Sequence, residues 1–259
     1  MRKIITVLIL SLSIGHVFAQ KADTITIKKS DLNLKNLKTG NSTYLVYNKK
    51  SRTGPAGNFV LVKINAALTT FNNQPAYAIT QQWEADTVVH TAHTLLDTKD
   101  ASTLLHESWW KRLGYTAKYD FTTKKTEFTG TVTDSIKSKI TADFHDSFAS
   151  YNLNWHSDLI IFTLLPYKEN RTMAINFYDP GFGKSKIAYY TVTGSDILKS
   201  SSGENIDCWV MEYANNVPNF GKTVQRFWIS KKTREVLKEE DETPRGMRYK
   251  LKIGISGEN

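Results

Sequence analysis

The run Phe227-Trp228-Ile229-Ser230-Lys231-Lys232-Thr233-Arg234-Glu235-Val236-Leu237-Lys238-Glu239-Glu240-Asp241 has the pattern of a β-hairpin. A β-rich arm ends in Trp228 and Ile229. A short hydrophilic turn follows, Ser230-Lys231-Lys232-Thr233, and a second arm passes through Val236 and Leu237. Hairpin loops of a few polar residues between apolar arms are the common form. The same order recurs upstream: Leu95-Leu96, then the polar Asp97-Thr98-Lys99-Asp100, then Thr103-Leu104-Leu105-His106-Glu107. Each copy is followed by a glycine that opens another strand, Gly114 before Tyr115 and Gly246 before Met247. The repetition predicts one long antiparallel sheet made of two similar halves, about residues 20–140 and 155–256, within a single β domain spanning 20–259.

Working outward, the strands follow one another with short turns. Tyr44–Tyr47 and the long β-branched run Asn58–Thr70 come first. Tyr77, Ile79, Gln81 and Trp83 then share one face of a period-two strand. Thr87–Leu96 with Thr103–Trp110, and Tyr115–Phe121 with Thr126–Val132, complete a meander. A second meander runs from Thr172 to Ile255, where Tyr249, Leu251, Ile253 and Ile255 are expected to face inward and Arg248, Lys250 and Lys252 outward. Between the two, Leu159-Ile160-Ile161-Phe162-Thr163-Leu164-Leu165 follows the capping pair Ser157-Asp158 and stops at Pro166. This predicts a short helix at about Ser157–Leu165, apolar nearly all round and therefore buried on the concave face of the sheet. A continuous buried strand is the alternative. Period two with lysines opposite the apolar face argues against a membrane-spanning barrel.

The first residues carry an export pattern. Arg2 and Lys3 precede an apolar run, Ile4–Ile14, that is too short to span a bilayer, and Val17-Phe18-Ala19 fits a cleavage site. A signal peptide over residues 1–19, cleaved before Gln20, places the mature chain in the periplasm. Removing Arg2 and Lys3 lowers the net charge from +9 to +7. Outside the cytoplasm, positive charge does not point to nucleic acid; it suits an anionic membrane surface or acidic glycans, with a lysine-rich solvated surface as the equal alternative. A single cysteine, Cys208, allows no internal disulfide and no cysteine-built metal site, and its strand-like setting suggests a buried, inert thiol.

The block from Trp155 to Ile255 carries Leu164-Leu165-Pro166, Tyr178-Asp179-Pro180-Gly181, Val192-Thr193-Gly194, Cys208-Trp209-Val210 and the 227–237 hairpin. It resembles an exported bacterial domain-of-unknown-function family, DUF3108-like, itself distantly similar to the Lol-type periplasmic lipoprotein-carrier half-barrels. That resemblance implies a curved antiparallel sheet wrapped partly around a helix, with acyl chains held between sheet and helical lid. No residue motif diagnostic of a lipoprotein carrier is present, so lipid carriage follows from shape and compartment alone.

No nucleophile elbow, zinc-protease motif or phosphate loop occurs. His90 and His93 would point to opposite faces of a strand, which disfavours a metal site, and surface or capping roles suit the histidines. No cofactor is implied. The tryptophans are more informative. Trp83, Trp155, Trp209 and Trp228, with Leu159 and Phe162 from the helix, are the candidate lining of an apolar pocket. The alternative is that they fill core and leave no cavity. The leading functional expectation is a non-enzymatic periplasmic protein that binds a lipid or acylated ligand. An envelope scaffold without a small ligand, and a hydrolase acting on an envelope glycan or ester, stand as alternatives.

Overall fold

A computed structural model describes residues 23–255. The expected signal peptide with its Ala19-Gln20 cleavage site, and the expected frayed tail Ser256–Asn259, lie outside the described residues. The N-terminal strands are β1 (Asp23–Thr26), β2 (Gly40–Lys49), β3 (Ala56–Phe71), β4 (Gln74–Glu84), β5 (Val88–Asp97), β6 (Thr103–Trp110), β7 (Tyr115–Asp120) and β8 (Lys125–Gly130). Helix α1 (Asp134–Asp146), the short β9 (Leu153–Asn154) and helix α2 (Asp158–Ile161) connect them to the rest. The C-terminal strands are β10 (Arg171–Tyr178), β11 (Lys186–Lys199), β12 (Asn205–Val217), β13 (Gly221–Ser230), β14 (Val236–Thr243) and β15 (Gly246–Lys252).

All the described strands belong to one curved, open sheet. Its order is β1-β10-β11-β12-β13-β14-β15-β2-β3-β4-β5-β6-β7-β8, with β9 beside β10. The C-terminal meander therefore precedes the N-terminal one in space, and the β15–β2 pair welds them. Pairing is antiparallel except where β1 and β9 flank β10. At the β14–β15 turn a side chain on Gly246 would collide with the Lys49 carbonyl, and its φ of 128° is open to glycine alone.

The predicted helix is present at its predicted place. α2 is a single turn, continued on both sides by tight 3₁₀ turns, Trp155–Ser157 and Phe162–Leu164. Its carbonyls find partners outside the helix. The Asn33 amide donates to Leu164 O at 2.9 Å, Asn36 Nδ2 to Thr163 O at 3.0 Å, and Tyr167 Oη to Phe162 O at 2.7 Å. That satisfaction is what allows so apolar a turn to be buried whole. Ile161, Phe162 and Leu164 have no exposed surface, and the Phe162 ring packs edge-on against Phe227 at 4.9 Å and Tyr190 at 5.2 Å.

α1 is absent from the sequence reading. Its signal was legible: Thr133 accepts from the Ile136 amide as N-cap, and Ile140 and Phe144 recur four apart, packing on Ala117, Tyr119 and Tyr178.

The expected facing of β15 is reversed. Arg248 and Lys250 point to the inner face and Tyr249 to the outer, where it stacks on Tyr47 at 5.0 Å. The reason lies across the ladder. Lys238 pairs with Trp228 but Val236 with Ile229, so Leu237 is an extra residue on β14. This bulge turns Glu239 and Asp241 inward beside Lys250 and Arg248. Counter-ions on the neighbouring strand, not solvent, accommodate the cations.

Candidate functional site: a cleft beside the short helix

The inner face presents a continuous row across four strands: Val62 on β3, Trp83 on β4, His90 on β5 and Trp110 on β6. The His90 and Trp110 rings stack at 3.7 Å, and Trp83 meets Trp110 edge-on at 5.8 Å. Opposite this aromatic wall stand Glu239 and Lys250. Trp155, His156, Asp158 and Leu159 from the α2 segment form the third side, and Arg112, Asp179 and Phe182 complete the lining. Together they enclose a cleft of about 250 Å³.

Its polar groups are held firmly. Glu239 meets Lys250 Nζ at 2.5 Å and Arg248 at 2.6 Å, and Arg248 also meets Asp241 at 2.5 Å. Burial alone would raise the Glu239 carboxyl, but Lys250 and then Arg248 overcome it and bring it to about 2. Asp241 is pushed up to about 6 by burial and by the charge of Glu239. Asp158 is also pushed up to about 6, by burial and the Glu239 charge working against the attraction of Lys250.

The histidines are the larger surprise. His90 and His106 are fully buried, and His156 lies between them, its ring 5.5 Å from His90 and 4.6 Å from His106. His90 Nδ1 sits 2.7 Å from the Trp109 carbonyl, which can only accept. Nδ1 therefore carries the proton, and Nε2 is left as an acceptor with no partner among the described residues. Trp110 Nε1 is a buried donor with no partner among the described residues. Burial, then the neighbouring His156, brings His90 down to about 4 and holds His106 well below the usual histidine range. His156 Nδ1 lies 3.0 Å from Asp179 Oδ1. Surface or capping roles were expected of these residues. His145, exposed in the last turn of α1, and His93, half-buried on the face of β5 opposite His90, have such places. Among the described residues no group of three or more His, Cys, Asp or Glu side chains is placed to hold a metal.

The six candidate pocket residues are not brought together. Trp83, Trp155 and Leu159 line the cleft. Phe162 lies behind them in dry core. Trp209 is on the inner face of β12 with Lys231 Nζ 4.4 Å above its ring, away from the cleft lining. Trp228 is on the outer face with Ile206, Cys208 and Leu237, its indole donating to Asp196 Oδ2 at 2.8 Å. Sequence reasoning missed His90, Trp110, Arg112, His156, Asp158, Glu239 and Lys250. Cross-strand register from Trp83 leads to His90 and Trp110, and the bulge at Leu237 hid Glu239.

Comparison with known proteins adds the following. The family model DUF3108, a protein family of unknown function, matches residues 43–252. The chain belongs to the DUF3108 family. The matched span starts within β2 and ends on the last residue of β15, so it contains both repeated hairpins, α2 and every residue of the cleft lining. No curated protein matches the chain. Similar solved structures include the hypothetical lipoprotein YmcC from Escherichia coli K12, at 12% identity over 85% of this chain and 89% of that one, with a TM-score of 0.31. A β-barrel-like DUF1849 protein from Brucella abortus matches at 6% identity over 85% and 97%, with a TM-score of 0.35. A DUF1329 protein from Desulfovibrio piger matches at 12% identity over 86% and 90%, with a TM-score of 0.27.

Proposed function

We propose that this protein is exported to the cell envelope and there binds a small amphiphilic molecule in the cleft beside α2, without transforming it. One observation carries the reading. The cleft joins an apolar wall of Trp83, Trp110 and Trp155 to buried polar groups that lack partners among the described residues, His90 Nε2 and Trp110 Nε1.

 Leu159 closes that wall from the helix side. A buried polar atom without a partner costs stability unless something satisfies it, and an amphiphile offers both the apolar body and the hydrogen bonds. The volume, about 250 Å³, suits a short molecule or one end of a longer one more than a whole acyl chain. Export is supported by the basic start and short apolar run of the first 19 residues. A net charge of +7 once Arg2 and Lys3 are removed, from +9 for the full chain, suits work beside an anionic membrane surface. No helix among the described residues is long and apolar enough to cross a membrane.

Mass spectrometry of small molecules extracted from protein purified from its own envelope tests this reading. A stoichiometric amphiphile is expected with the wild-type chain and not with Trp110→Ala. Extracts of the two that match would refute it. A second reading, acid–base catalysis, has the His156–Asp179 pair behind it. No serine, threonine or cysteine is hydrogen-bonded to the His156 ring among the described residues, which places this reading second. Ester turnover abolished by His156→Ala would move it to first.

A further inference from the structure

The charges lining the cleft are not equally provided for. Lys250 and Arg248 are both held by Glu239, and Asp241 by Arg248. Asp179 faces His156. Two groups remain. Asp158 Oδ1 accepts from the Leu159 amide at 2.7 Å, yet no cation of the described residues lies within ion-pair distance of its carboxylate. Arg112 lies over the Trp110 ring at 5.1 Å and the Phe182 ring at 5.9 Å, with no acid of the described residues at ion-pair distance. The first is half-buried beside aromatic rings and the second is exposed. A charge drawn out of water without a partner is costly, so a half-buried unpaired carboxylate is a place for a cation to arrive. Aromatic faces strengthen that preference, because the ring quadrupole attracts an ammonium group. A guanidinium set over aromatic rings, with no acid of the described residues beside it, keeps its fork of N–H donors free for an oxyanion.

We propose that the ligand of this cleft is a zwitterion: an ammonium group that pairs with Asp158 and an oxyanion that pairs with Arg112, joined to an apolar portion that lies on Trp83 and Trp110. This rests on the cleft being a binding site and goes further in naming what it takes. Ligands of a single charge sign satisfy one of the two groups and meet repulsion from the other. Two sources share the required chemistry, the headgroup of a zwitterionic phospholipid and a free amino acid with an apolar side chain.

Isothermal titration calorimetry on the full mature chain separates the alternatives. The probes are dihexanoylphosphatidylethanolamine below its micelle threshold, free leucine, hexylamine, hexanoate and the neutral hexyl glucoside. One zwitterion or both are expected to bind at least tenfold more tightly than hexylamine and hexanoate. Binding of the phospholipid alone assigns a headgroup, and binding of leucine alone assigns a free amino acid. Asp158→Asn and Arg112→Gln are each expected to cut the preference for the zwitterion over hexyl glucoside at least tenfold. Arg112 is exposed, so its variant keeps the test open if Asp158→Asn folds poorly. Hexyl glucoside binding with no preference for a zwitterion would overturn the proposal and leave the cleft as a general amphiphile site. The same holds if the preference survives both substitutions. No binding by any probe would overturn the cleft reading and this proposal together.

Discussion

The hairpins β5–β6 and β13–β14 are built on the same backbone plan and carry different side chains to the same face. In the first, the Asp97 amide donates to Ser102 O at 2.8 Å and the Ala101 amide to Asp97 O at 2.9 Å. In the second, Ser230 donates to Glu235 O at 2.9 Å and Arg234 to Ser230 O at 3.0 Å. Both turns use a non-glycine residue at positive φ, Ala101 at 56° and Arg234 at 66°. Both second arms then carry one extra residue, Leu104 and Leu237. Two positions beyond each bulge a polar side chain enters the interior, His106 from one and Glu239 from the other. The difference lies in what keeps them there. His106 is accommodated as a neutral ring, with Thr94 Oγ1 at 2.9 Å from Nδ1. Glu239 stays charged and needs Lys250 and Arg248. A bulge can therefore deliver a polar group beneath a sheet, but the neighbouring strand decides its charge state.

Breaking the charged side should cost most. Glu239→Ala leaves Lys250 buried without its acid and Arg248 with Asp241 alone, and a loss of about 3–5 kcal/mol is expected from urea unfolding. A loss below about 1 kcal/mol would mean that the cations relax into solvent. Phe162→Ala, in the dry core behind the cleft, sets the reference for plain packing at about 3–5 kcal/mol by the same measurement. An unchanged urea midpoint would show α2 to be peripheral.

The neutral side should cost less and should respond to pH. His106→Leu removes the partner of Thr94 and is expected to cost about 1–3 kcal/mol at pH 7. The folded pKa of His106 lies well below the usual histidine value of 6.5, so the unfolded chain takes up a proton that the native one refuses. Its contribution is complete above pH 6.5 and is lost as the pH falls below that. The gap between wild type and His106→Leu should therefore narrow from pH 7 to pH 4.5. A constant gap would contradict a neutral buried ring. Asp158 and Asp241 act in the opposite sense. Their folded pKa of about 6 exceeds the usual aspartate value of 3.8, so the stability they contribute is present below 3.8 and is lost as the pH rises through 6. Comparing the variant with wild type at each pH removes this shared background.

Much of the fold was legible. Short turns, period two and the repeated hairpin specified the strands, and the Ser157-to-Pro166 run specified the buried turn of α2. The site was legible only in part, for two physical reasons. Alternation counted along β15 assumed that lysines seek water, whereas Glu239 on the next strand supplies Lys250 with a partner indoors. Alternation also cannot anticipate a bulge, and Leu237 is the residue that re-aims Glu239 and Asp241. Trp228 illustrates a third limit. Its chemistry suits a pocket wall, but its register places it on the outer face. Trp228→Phe is expected to cost about 1 kcal/mol through the lost bond to Asp196, and to leave any ligand-induced change in tryptophan emission intact. An emission change that vanishes with Trp228 would place the ligand on the other side of the sheet.

Tryptophan emission during titration with short alkyl amphiphiles of increasing chain length, each kept below its micelle threshold, tests the cleft itself. Trp83 and Trp110 should lose water as the cleft fills, giving a saturable blue shift that Trp110→Phe weakens. Each buried methylene contributes about 0.8 kcal/mol, so affinity should climb steeply over the first few and then level off as a cleft of about 250 Å³ is filled. A flat titration with folded protein, or an affinity that climbs without levelling and ignores Trp110→Phe, would contradict a bounded binding cleft beside α2.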